Sequence, residues 1–162
     1  MENTRKDFTS LHGFLHHAAH ELHDLNKEFL FHKVDKEFKG ITFETVLQSI
    51  NEIAAFLLSL GLKKGDRCAL VLENCPQYVF FDQALMKLGL VNVSIYPTLT
   101  AEETKYILTD SGAKTLLVGT PFLLKKYQKI AADLPEIIQV ITLFDDAPEN
   151  EKFISFKKML QK

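Results

Sequence analysis

Apolar positions recur along this chain with two periods, one helical and one unbroken. From Ser10 to Asp24, Leu11, Phe14, Leu15, Ala18 and Leu22 fall on one helical face. Phe29 to Val34 reads as a strand, Asp35-Lys36-Glu37 can turn, and Phe38 to Thr42 can return, so 29–42 predicts a small hairpin. Thr42 can cap a helix from Phe43 to Leu60, whose stripe is Val46, Leu47, Ile50, Ile53, Ala54, Leu57 and Leu58; Gly61 ends it. After the turn Lys63-Lys64-Gly65-Asp66, Cys68 to Leu72 is an unbroken apolar run, the pattern of a strand covered on both faces.

The pattern then repeats. Asn74 can cap a strongly apolar helix over 76–89 that begins at Pro76 and closes at Gly89. A strand over 91–95 leads to a helix over 101–111 that ends at Gly112. Thr100 and Glu103 form the capping-box pair that starts this helix, and Pro97 stops the strand before it. A strand over 115–118 leads to a helix over 121–133, with Thr120 as cap and Pro121 at its first position, and a strand over 138–143 closes the series. Residues 145–152 turn polar and read as an exposed link. Ser155 can cap a last short helix carrying Phe156, Met159 and Leu160.

Short apolar strands alternating with helices predict parallel strands with right-handed crossovers and helices on both faces. The expected fold is a three-layer α/β/α unit with a mostly parallel sheet, preceded by a helix and a hairpin. The subdomain covers 1–144, and 145–162 is the link and terminal helix.

Composition narrows the function classes. The chain has 162 residues, 46% hydrophobic and 25% charged, with a formal charge of -2. That balance, without a long basic run, argues against nucleic acid as a partner. Two cysteines are too few for a disulfide framework. The first residues are polar, no apolar run is long enough to span a bilayer, and the default setting is cytoplasmic, with at most peripheral membrane contact.

Candidate chemistry is sparse. His12, His16 and His20 follow at helical spacing and share a face, so a metal could bridge two of them; a solvated polar face explains them as well. Cys75 lies near a helix start without a base placed for it, and Cys68 reads as core, so neither is assigned as a nucleophile. The carboxyl ends of the parallel strands are followed by Glu73-Asn74-Cys75, Tyr96-Pro97-Thr98, Gly119-Thr120 and Phe144-Asp145, which this topology gathers on one ligand-binding edge.

The order and spacing of several segments carry a resemblance. They are Ile41-Thr42-Phe43, the run from Gly61 to Asn74, Lys87 to Val91, Tyr96 to Glu103 and Tyr106-Ile107-Leu108. Together they resemble the opening part of AMP-forming acyl-activating enzymes, and the Tyr96–Glu103 run resembles their long-chain fatty acyl-CoA synthetase branch. The resemblance implies that the full enzyme uses ATP, magnesium and CoA to convert a fatty acid to its CoA thioester. It implies further that Tyr96, Pro97 and Thr98, at a strand end, and Lys125 and Lys126, which lie on the first turns of the helix after Gly119, make peripheral CoA contacts. Read from the residues alone, they are a strand stop, a helix cap and solvated lysines.

This chain departs from the family pattern in one cap, where Thr45 stands in place of the frequent glutamate. Larger departures are the phosphate loop, the acidic adenylate and magnesium motif, the ribose-binding aspartate and the catalytic lysine, none of which occurs here. No catalytic residue and no metal site is therefore assigned, and the expected role is an N-terminal fragment that is inactive alone. A flavodoxin-like or response-regulator-like module, and an interaction domain without chemistry, are the alternatives. The expected partners are the remainder of a synthetase chain or a second copy. The apolar character of helix 76–89, with Val79, Phe80, Phe81, Leu85 and Leu88, predicts a homodimer in which the C-terminal helix docks across that surface or exchanges between subunits.

Overall fold

The computed structural model describes residues 10–146, 148 and 150–161. Its elements run α1 (Leu11–His17), a π turn (Ala18–Leu22), β1 (Glu28–Val34), β2 (Glu37–Thr42), α2 (Phe43–Ser59), β3 (Arg67–Val71) and α3 (Pro76–Leu88). There follow β4 (Val91–Ser94), α4 (Ala101–Ser111), β5 (Thr115–Val118), α5 (Pro121–Gln128), a 3-10 turn (Ala131–Asp133), β6 (Gln139–Thr142), β7 (Phe153–Ser155) and α6 (Phe156–Met159).

β3, β4, β5, β6 and β7 form a parallel sheet in the order β4-β3-β5-β6-β7. Its strands alternate between two cores. Cys68, Leu70, Leu117, Ile141 and Ile154 face the side covered by α2, α3 and α1. Ala69, Val71, Leu116, Val118 and Val140 face the side covered by α4 and α5. This is the expected three-layer arrangement: the inner strands β3, β5 and β6 are buried on both faces and read as largely apolar runs, whereas the edge strand β4 is half-exposed. β1 and β2 pair as a separate antiparallel hairpin, turning at Asp35 and Lys36, both with positive φ.

The local signals act as expected. The Thr100 hydroxyl accepts from the Glu103 N–H at 3.2 Å, and the Glu103 carboxylate accepts from the Thr100 N–H at 2.8 Å. The Thr42 hydroxyl accepts from the Thr45 N–H at 3.2 Å, so threonine starts α2 without the reciprocal half of a box. Gly89 and Gly112 end α3 and α4 in the left-handed region, at φ 67° and 59°.

Four elements differ from the sequence reading. The N-terminal helix is regular only to His17 and then widens into the π turn. Cys75, not Asn74, holds the cap position of α3, with no side-chain cap; Pro76 makes the start without one, because its missing N–H needs no acceptor. The helix expected over 121–133 ends at Gln128 and resumes as the 3-10 turn, a path that keeps Tyr127, Ile130 and Leu134 all buried. Residues 145–162 are more than a link and a helix, since Phe153–Ser155 adds a fifth strand beside β6.

That added strand positions α6. The Ser155 hydroxyl accepts from the Lys158 N–H at 3.3 Å, Phe156 meets Phe81 with ring centroids 5.9 Å apart, and Met159 is 2% exposed. The C-terminal helix thus docks within its own chain, and Phe80, Phe81, Ala84 and Leu85 of α3 are buried.

Candidate functional site

All the strand ends named from the sequence emerge on one edge, because the sheet is parallel throughout. The chain reverses direction across the sheet between β3 and β5, the place where ligand crevices open in folds of this strand order. Gly119 packs there on β3: its N–H donates to the Val71 carbonyl at 3.0 Å, and a Cβ on it would lie 2.7 Å from Leu72 Cβ.

Beside that point, between β3 and β4, lies a cavity of about 590 Å³, lined by Leu70, Leu72 and Ile95 and by polar groups of Glu73, Asn74, Tyr78 and Ser94. Tyr96 and Pro97 form its outer wall. Its size and its apolar floor with a few convergent polar groups are those of a small-molecule site.

A set of side chains at this cavity escaped the sequence reading. Tyr78 and Ser94 hydroxyls are 2.6 Å apart, Ser94 Oγ is 3.3 Å from Asn92 Oδ1, and Asn92 Nδ2 is 3.4 Å from the Tyr78 hydroxyl. Asn92 Nδ2 also donates to Asp82 at 2.8 Å. If Tyr78 donates to Ser94, Ser94 to Asn92, and Asn92 to Tyr78, the ring closes with every donor used. The signal was present: Asn92 and Ser94 are polar between apolar Val91, Val93 and Ile95, and Tyr78 and Asp82 are one helical turn apart.

The five residues expected to contact CoA are partly brought together. Tyr96 is 77% exposed at the cavity rim, Thr98 is exposed, and Pro97 is half-buried. Lys126 reaches this loop from α5: its ammonium donates to the Pro97 carbonyl at 2.9 Å and also to the Leu99 carbonyl, and lies 5.5 Å from the centre of the Phe122 ring. Lys125 is exposed. One placement needs correction. Because α5 stops at Gln128, both lysines stand in its last turn, not its first. There Lys126 is a clamp on the strand-end loop, with its charge engaged by backbone carbonyls.

Burial pushes the thiols of Cys68 and Cys75 up from their ordinary pKa, which disfavours the nucleophilic thiolate. Among the described residues, no cluster of three or more His, Cys, Asp or Glu side chains is arranged to hold a metal ion, and no helix is long and apolar enough to cross a membrane.

The AMP-binding enzyme family matches residues 17–161. The chain belongs to the AMP-binding enzyme family. Its curated relatives include crotonobetaine/carnitine–CoA ligases. That of Escherichia coli O1:K1 / APEC is 35% identical over 113 residues, which cover 69% of this chain and 22% of the relative. That of Salmonella enteritidis PT4 is 30% identical over 132 residues, covering 82% and 25%. The chain thus spans about a quarter of the length of the curated relatives it matches. Among solved structures, the anthranilate CoA ligase AuaEII in complex with anthranoyl-AMP superposes with a TM-score of 0.81 at 24% identity, over 95% of this chain and 28% of that one. A Rhodopseudomonas palustris CGA009 protein provisionally described as a long-chain-fatty-acid CoA ligase gives 0.76 at 22%, over 94% and 36%. At such identities these structures speak for the fold, which is that of the N-terminal region of acyl-adenylate-forming ligases.

Proposed function

We propose that this chain is the N-terminal part of a ligase that activates a carboxylic acid with ATP and passes the acyl group to CoA. The observation that carries the reading is the family match over 17–161, joined to curated relatives that are CoA ligases. A long-chain fatty acid is the acid we propose, on the likeness of the Tyr96–Glu103 run to that branch of the family. The relatives' names, crotonobetaine/carnitine among them, make a short polar acid the competing substrate.

The chain is proposed to do no adenylate chemistry alone. Stabilising the charge that builds on transferring phosphates needs cationic and backbone donors gathered around them. The sequence holds seven glycines without a cluster, and no Ser/Thr/Gly-rich loop ending in lysine. ATP–pyrophosphate exchange with long-chain, medium-chain and betaine-type acids tests this. No turnover above a no-protein control is expected; turnover in a pure preparation would overturn it.

For CoA, we propose that its nucleotide end lies against Tyr96, Pro97, Thr98 and Lys125, with Lys126 holding the loop that presents the first three. Tyr96 offers an exposed ring for stacking and Lys125 an exposed charge for phosphate. Binding by this part alone is expected to be weak, since isolated surface charges contribute little. Calorimetry with CoA should show Lys125→Ala and Tyr96→Ala each weakening it further. Tight binding unchanged by both would place the ligand elsewhere.

A further inference from the structure

We propose that His16 and His20 form a two-histidine site for a divalent transition-metal cation of the zinc or nickel class. The pair sits where the helix changes pitch. α1 ends at His17, and Ala18–Leu22 is a π turn. In a regular α-helix, residue i+4 stands about 40° beyond residue i around the axis. A wider turn takes back part of that overshoot and brings the second side chain over the first. The two imidazoles lie next to each other, with ring centroids 4.2 Å apart and planes inclined by 33°.

Both side chains are exposed, so an ion can reach them from solvent. His12, the third member of the sequence row, differs from them in burial. It is half-buried, and its Nδ1 has no hydrogen-bond partner. Burial, with Lys87 and His16 adding to it, lowers its pKa. Imidazole nitrogen suits zinc, copper and nickel, and a neutral ring offers one lone pair to an ion. Two such rings one turn apart on one backbone are a chelate whose entropy of closure is already met by the helix. Among the described residues no third His, Cys, Asp or Glu completes the set, so water fills the other positions. The site is therefore weaker than four-ligand structural zinc sites. A bound ion would tie the α segment to the π turn, and the folded chain would gain stability with rising metal concentration.

The test uses the full chain, stripped with a chelator, and Zn²⁺ or Ni²⁺ alone in a non-coordinating buffer. Calorimetry should show one saturable site, and the melting temperature should rise with metal. His16→Ala and His20→Ala should each weaken binding by at least about tenfold, the scale of losing a supporting group at a metal site. His32→Ala should leave it unchanged. Nickel should broaden the ring proton resonances of His16 and His20 first. The metal-free melting temperatures of both variants should equal the parent's, which separates ligand loss from unfolding. Saturable binding that survives both substitutions, or none at millimolar metal, overturns the proposal.

Discussion

At the scale of single residues, the two lysines of α5 divide a role the sequence assigned to both. Lys126 donates to the carbonyls of Pro97 and Leu99, while Lys125 faces solvent. Lys126→Met should cost about 1–2 kcal/mol, the range for bonds from a charged donor reduced for partial exposure. Lys125→Ala should stay within about 0.5 kcal/mol. Urea denaturation of both variants checks this, and equal effects would mean that the clamp is not there. Asp66 supplies a second residue-scale prediction. It is 8% exposed, accepts from the Lys63 N–H at 2.8 Å and pairs with Lys114 at 2.8 Å. The bond from Lys114, then that from Lys63, holds its carboxyl below the usual carboxylate pKa. A group depressed on folding contributes stability above its unfolded pKa and loses it as pH falls through the folded one. Stability should therefore decline from about pH 4 downward. Asp66→Asn should be less stable at neutral pH and lose less on acidification; parallel curves from denaturation at each pH would refute this.

At the scale of elements, caps and a late strand decide most. Thr100→Ala removes one half of a complete capping box and should cost about 1 kcal/mol, read by thermal melting. β7 and α6 matter more. β6 would otherwise be an open sheet edge, and an unpaired edge invites another chain. The tail closes it through pairs such as Ile141 with Ile154, then turns α6 back so that Met159 is buried. Met159→Ala should cost about 2–4 kcal/mol, the range for truncating a buried methionine. A loss under about 0.5 kcal/mol would be that of a surface side chain and would show α6 undocked in solution.

At the scale of the whole molecule, the sheet divides the apolar residues into two cores, and α3 spends its apolar surface inside the chain. The homodimer proposed from the sequence therefore has to draw on other surface. Phe31 and Phe38 are 60% and 72% exposed on the β1–β2 hairpin. Phe31→Lys with Phe38→Lys should lower the apparent mass of any concentration-dependent dimer in light scattering. A parent chain that stays monomeric across the whole concentration series would end the proposal.

What the sequence by itself determined was local. The capping box at Thr100 and Glu103, the glycine stops at Gly89 and Gly112 and the apolar runs of the strands depend on neighbours within a few positions, so spacing reveals them. The family was legible for the same reason, because ordered short motifs survive in linear form. Tertiary structure alone decided the rest. Phe153–Ser155 is too short to carry a period and is a strand because β6 offers an edge to it. The strand order, the Tyr78–Asn92–Ser94 ring and the clamp of Lys126 on the 96–100 loop join residues far apart in the chain. The close approach of His16 and His20 comes at a change of helical pitch that no residue between them announces. Long-range contacts are chosen by which surfaces remain to be covered once the sheet has formed, and that choice is made in three dimensions.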